Sequence, residues 1–152
     1  VKRTKEEAMI GTDSTRRLGT ALGVGVLLSA ALEAIYYYGG VAGTADSTPL
    51  RAALVGAAGA VVAGVVAWLA VRGVYADPGG DRLARRTVAL GAGAVISLAG
   101  FWIGVTVPIC VAAVALGRRT AVAGRPLRGH LTAGVAAIVF AATIVLCVLG
   151  AS

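Results

Sequence analysis

The chain has 152 residues, of which 58% are hydrophobic and only 14% charged, with a formal net charge of +7 and a mean hydropathy of +0.86. That is about one domain's length, yet it carries too little charge to coat a soluble surface. Its apolar residues come in long unbroken runs, and runs of roughly 18 or more read as membrane-spanning helices, so the sequence predicts an all-α, polytopic helical membrane protein.

The basic charge does not point to nucleic acid. All basic residues but Arg51 fall in three patches: a tail (Lys2, Arg3, Lys5, Arg16, Arg17), a middle loop (Arg72, Arg82, Arg85, Arg86) and a later loop (Arg118, Arg119, Arg125, Arg128). Each patch flanks an apolar run, where Lys and Arg determine topology. No basic stripe is interleaved with aromatic residues, the pattern expected of a nucleic-acid surface.

In chain order, residues 1–17 read as a cytoplasmic basic tail, with Asp13-Ser14-Thr15 available to cap the first helix. That helix is predicted over 18–38. Its apolar core is too long for a signal-peptide h-region, so it reads as an uncleaved span, ending in Tyr36-Tyr37-Tyr38 at headgroup level. A Gly-rich loop over 39–50 leads to a second helix over 51–71, with Trp68 near its far end. Asp77-Pro78-Gly79-Gly80 then marks a turn.

The apolar stretch 88–117 would be about 45 Å long as one helix, against a hydrocarbon core of about 30 Å, and Gly104 and Pro108 interrupt it. It is either a fourth, kinked crossing or a hairpin of two arms, 88–103 and 108–116. The arginines favour the hairpin: a single crossing would put the two Arg-rich loops on opposite sides, against the positive-inside rule. The short second arm would then have to be covered by protein. A last helix over 131–149 runs outward, leaving the C-terminal residues outside. An apparent repeat complicates this. Ala21-Leu22-Gly23-Val24-Gly25 recurs as Ala89-Leu90-Gly91-Ala92-Gly93, and Leu50-Arg51 as Leu127-Arg128. A duplicated helical pair would favour the single crossing.

Pro108, Leu116-Gly117-Arg118-Arg119, Arg128-Gly129 and Ala133-Gly134 follow a pattern of central Pro, Leu-Gly-basic exit, basic loop and Arg-Gly-x-x-x-Ala-Gly helix. In these features the part from 88 to 150 resembles a widespread bacterial membrane domain of unknown function. The resemblance implies the hairpin topology and no activity. The Ala-, Gly-, Val- and Arg-rich, Lys-poor composition resembles that of high-GC actinobacterial proteins.

Glu33 is the acidic residue inside an apolar run, and an ionisable group there is a functional-site hypothesis by default. Ser29 and Tyr37 share its helical face, four residues away on either side. Arg51, opening the second helix on the same side, is available to pair with it. Cys110 and Cys147 lie inside apolar runs without a CxxC or Cys/His cluster, and His130 stands alone at a helix entrance. Asp77 and Asp81 are a close acidic pair, but they flank a turn. This pattern predicts no catalytic residue, metal site or cofactor.

Small residues recur four apart at Gly19/Gly23, Gly56/Ala60/Gly64, Gly93/Ser97, Gly100/Gly104 and Ala133/Ala137/Ala141, spacing that lets helix backbones approach closely. The expected function is therefore non-enzymatic: an accessory or structural subunit of a larger membrane complex, or a homo-oligomer. Its partners would be membrane lipids and either other subunits or copies of itself, in the plasma membrane with the N-terminal tail cytoplasmic. The alternative is a small ion- or proton-coupled transporter or channel using Glu33.

Overall fold

The computed structural model describes the backbone of residues 5–38, 49–76 and 80–150, and these are almost entirely helical. Helix α1 spans Lys5–Tyr38, α2 Pro49–Ala76 and α3 Gly80–Ser97. A 3-10 segment, Leu98–Ile103, leads through Gly104 and Val105 into α4, Thr106–Val122, and α5 spans Pro126–Gly150. Among the described residues four stretches are long and apolar enough to cross a bilayer: Thr15–Tyr36, Leu50–Arg72, Asp81–Gly100 and Pro126–Leu149. The protein is a multi-pass integral membrane protein.

Two expectations on boundaries need correcting. Helix α1 begins at Lys5, so most of the polar tail is helical and its backbone runs straight through Asp13-Ser14-Thr15, which do not mark the helix start. The hairpin arms are longer than the apolar run, because α3 starts at Gly80 and α4 continues to Val122, with the arginines carried on helix. Most of the 39–50 loop and residues 77–79 of the turn lie outside the described residues.

Side-chain contacts fix the direction of each helix. Gly19 faces the Trp68 ring, Val26 packs into Gly64 and Glu33 lies on Gly56, so α1 and α2 are antiparallel. The Thr87 and Thr120 hydroxyls meet at 2.6 Å, joining the first half of α3 to the end of α4. At the other end of the same pair, Thr106 Oγ1 donates to the Ser97 carbonyl at 2.9 Å. The stretch 88–117 is therefore a hairpin that enters and returns on one side. Gly117 opposes Gly129 and Gly91 opposes Thr132, so α5 runs antiparallel to α4 and parallel to α3.

This arrangement gathers Arg16, Arg17, Arg72, Arg82, Arg85, Arg86, Arg118, Arg119, Arg125 and Arg128 at one end of the bundle, the basic end. Arg51 opens α2 at the other end, the end that holds the hairpin corner. The apparent repeat does not carry into the fold: α2 runs toward the basic end and α5 away from it, so their Leu-Arg openings lie at opposite ends.

The hairpin turns at Gly104, whose φ is +72°, after a kink at Gly100 (φ −122°, ψ 30°). Pro108 causes no kink. It sits in the first turn of α4, where a missing N–H costs no helical bond.

Interior and surface are inverted relative to a soluble domain. One core cluster, toward the basic end, is Leu18, Leu22, Ala67, Val71, Leu83, Ala112 and Leu116. Another, between α3, α4 and α5, is Ala94, Cys110, Ala113, Ala136 and Val139. Alanine, glycine, serine and threonine fill much of the interior, while Leu27, Ile96 and Ile138 are each over 70% exposed. Lipid tails are as apolar as leucine, so large side chains gain little by moving inward and small ones let helices pack closely. The 17-residue α4 is about 25 Å long and is the most enclosed helix. Its buried residues, from Thr106 through Leu116 to Thr120, lie around its circumference. That is the protein cover a short, broken arm requires.

Candidate functional site

The interior acidic group and the hairpin corner form one site. Glu33 is 3% exposed and Ser29, one turn earlier on the same face of α1, is 2% exposed. Ser29 Oγ donates to the Gly104 carbonyl at 2.7 Å, and the Gly104 amide is the backbone partner of the Glu33 carboxylate. Both polar groups that the broken helix leaves at Gly104 are thus engaged by side chains of α1. Non-helical backbone at membrane depth needs such partners.

The corner is also closed sterically. A Cβ on Gly56 would lie 2.8 Å from Glu33 Oε2 and 2.9 Å from both Cγ and Cδ, so the carboxylate arm rests directly on the backbone of α2. A Cβ on Gly104 would collide with the Gly56 carbonyl oxygen and approach Ala60 Cβ to 3.3 Å. Cys147 of α5 is buried and close enough to interact electrostatically with Glu33. Thr143, one turn before it, donates to its own helix at Val139 (2.9 Å). Glu33 Oε2 is buried without a hydrogen-bond partner among the described residues.

The predicted polar set is only partly assembled. Ser29 and Glu33 come together. Arg51 does not join them: it is exposed and five residues before Gly56, which puts it about 140° around α2 from the face that meets Glu33. The side chain of Tyr37 lies outside the described residues. Of the predicted packing glycines, Gly56 and Gly64 meet Glu33 and Val26, Gly19 meets Trp68, Gly100 forms the kink and Gly104 the corner, while a Cβ added at Gly23 would have nothing within 4 Å.

Several contacts that build the bundle are not legible from the spacing alone. The Thr87–Thr120 pair is one; each hydroxyl is also within hydrogen-bond distance of a carbonyl on its own helix, Leu83 (2.8 Å) and Leu116 (2.9 Å), so the hydroxyl that donates across the pair gives up its own-helix bond. The Gly117–Gly129 crossing is another. A Cβ on Gly117 would lie 2.8 Å from the Gly129 carbonyl oxygen, and one on Gly129 would run into Gly117 and Ala121 backbone. Threonines within apolar runs, and a glycine directly beside an arginine at a helix mouth, were the available signals.

At the basic end, Arg125 pairs with Asp81 at 2.5 Å, and the Arg86 guanidinium donates to the Ala70 carbonyl of α2 at 2.5 Å. His130 is exposed. Cys110 and Cys147 are buried free thiols, and among the described residues no three of His, Cys, Asp and Glu gather as a metal site. Comparison with protein-family models, curated proteins and solved structures finds no match to the chain.

Proposed function

We propose that this is a non-enzymatic membrane protein that acts by helix association, as an accessory or structural subunit of a larger complex or as a homo-oligomer. The observation behind this reading is a lipid-facing groove of about 430 Å³ between α1 and α2, lined by Gly19, Gly23, Val26, Gly64 and Trp68 among others. Most interior glycines are filled by a neighbour within the bundle, whereas Gly23 is open. A second helix could approach the backbone closely there. Purification in a gentle detergent tests this. The reading expects a stable larger species, reduced at least severalfold by Gly23→Leu; a lone monomer without a co-purifying protein, unchanged by Gly23→Leu, would sink it.

The arginine-rich end is proposed to face the cytoplasm, following the positive-inside tendency. A cysteine placed at Ala123, exposed between α4 and α5, should then be labelled only after the membrane is breached; labelling in intact cells would reverse the orientation.

One observation favours a second reading, a small proton- or cation-coupled transporter. Glu33 Oε2 is buried and has no hydrogen-bond partner among the described residues, and an intramembrane carboxylate in that position can bind a proton or cation. Liposomes containing the protein should show a pH- or ion-gradient-driven flux that Glu33→Gln abolishes. No flux from the unaltered protein would eliminate this reading.

A further inference from the structure

A lipid-facing groove of about 240 Å³ runs between α3 and α5, lined by Val88, Gly91, Ala92, Val95, Leu131 and Val135, with Thr132 in its wall and Arg128 at its mouth. Val88, Val95 and Leu131 are 53%, 49% and 67% exposed, so the groove opens to the surroundings of the bundle and not to its core. Along α3, Val88 to Val95 covers about 10 Å, all on the bilayer side of the arginines. The mouth is strongly cationic. Asp81, Arg125, Arg85 and Arg128 stand close enough for all three arginines to act on the one carboxylate. Asp81 is engaged by Arg125, which leaves Arg85 and Arg128 without a carboxylate partner among the described residues. Arg85 lies about one turn before Val88 on the face of α3 that carries Ala92. The ion pair also ties the start of α3 to the loop before α5, and Arg128 lines the groove from the α5 side.

From this arrangement we propose that the α3–α5 groove binds an anionic phospholipid, its phosphate between Arg85 and Arg128 and one acyl chain along Val88, Ala92 and Val95. A guanidinium presents a planar fork of donors that matches phosphate oxygens, and such charge-assisted bonds are the strong ones. The apolar walls select a ligand with a hydrocarbon tail directly below its charge. The uncompensated pair of arginines selects a net negative headgroup over a zwitterionic one. An acidic protein segment would satisfy the mouth but leave the groove unfilled.

Native mass spectrometry of the intact detergent-solubilised protein tests the proposal. The probes are phosphatidylglycerol, phosphatidylcholine of the same chain length, and glycerol 3-phosphate. The unaltered protein should retain phosphatidylglycerol about tenfold more than phosphatidylcholine, a ratio equivalent to about 1.4 kcal/mol, and should not retain glycerol 3-phosphate. Arg85→Ala/Arg128→Ala should remove the preference. Ala92→Trp, which fills the groove from an exposed position without altering charge, should reduce retention by a similar factor. Arg72→Ala, an arginine of the same end but away from the groove, should leave the preference intact. Equal retention of the two lipids would overturn the proposal. So would a loss in Arg72→Ala as large as in the double variant, since that would mean diffuse attraction. Retention of glycerol 3-phosphate as strong as that of the lipid would reduce the site to an anion site. If the double variant fails to fold, Ala92→Trp decides alone, and unchanged retention there refutes the groove as the seat.

Discussion

Gly104→Ala isolates the closure of the hairpin corner. Two costs act at this position. Its φ of +72° is a left-handed conformation that costs a non-glycine residue about 1–2 kcal/mol. The new methyl would also meet the Gly56 carbonyl oxygen and Ala60 Cβ. Backbone cannot rotate out of the way as a side chain can, so α2 must move or the corner must open; overpacking of this kind costs about 1–3 kcal/mol. Together the loss should be roughly 2–5 kcal/mol. Gly124 provides the matched control. Its φ is +87° and a Cβ there has nothing within 4 Å, so Gly124→Ala should cost only the conformational part, about 1–2 kcal/mol. Thermal unfolding in detergent, followed by the retained monodisperse fraction, ranks the two. The expected order is unaltered protein, Gly124→Ala, then Gly104→Ala by a clear margin. Equal midpoints for the two variants would refute the contact between the corner and α2, and with it the closed geometry around Glu33.

Two further predictions probe the helix interfaces. Gly129→Ala should separate α4 from α5, because the added carbon meets Gly117 and Ala121 backbone; a loss of about 1–3 kcal/mol is expected. Gly134→Ala on the same helix meets nothing and should be neutral or stabilising by up to about 1 kcal/mol through helix propensity. Both are read by the same thermal assay, and similar behaviour of the two would contradict the α4–α5 crossing. For the buried Thr87–Thr120 pair, a double-mutant cycle with valine should give a coupling of about 0.6 kcal/mol, as is typical of hydrogen bonds between membrane helices. Its modest size follows because the hydroxyl that donates across the pair gives up the bond to its own helix; zero coupling would mean that the two hydroxyls do not meet.

The membrane class and the order of the helices were legible because hydrophobic length is a strong signal, and the hairpin was legible because arginine placement is asymmetric. Helix ends were not. Arg16, Arg17 and Arg118 to Thr120 are polar or charged but helical, because helices continue beyond the hydrocarbon boundary into the polar zone. At the candidate site, Ser29 and Glu33 were visible as one helical face. Their partner was not, since Gly104 lies 75 residues from Ser29 in sequence and offers only backbone groups, which every residue has. Arg51 shares an end of the bundle with Glu33, but it is exposed and about 140° around α2 from Gly56, a rotation that position in the sequence does not display. The α3–α5 groove mouth depends on which arginines Asp81 engages, and that follows from the folded arrangement alone.

The enclosed position of α4 has a consequence for biogenesis. A polypeptide enters the bilayer from its N-terminal side, so α4 emerges before α5, the helix that covers it most extensively. During that interval the Gly117 face and the Thr120 hydroxyl have only the earlier helices for shelter. The hairpin must therefore enter as a unit with α3 and wait, incompletely wrapped, until α5 arrives. Slowed or interrupted synthesis at that stage would expose a segment that lipid solvates poorly, the kind of surface on which membrane quality control acts.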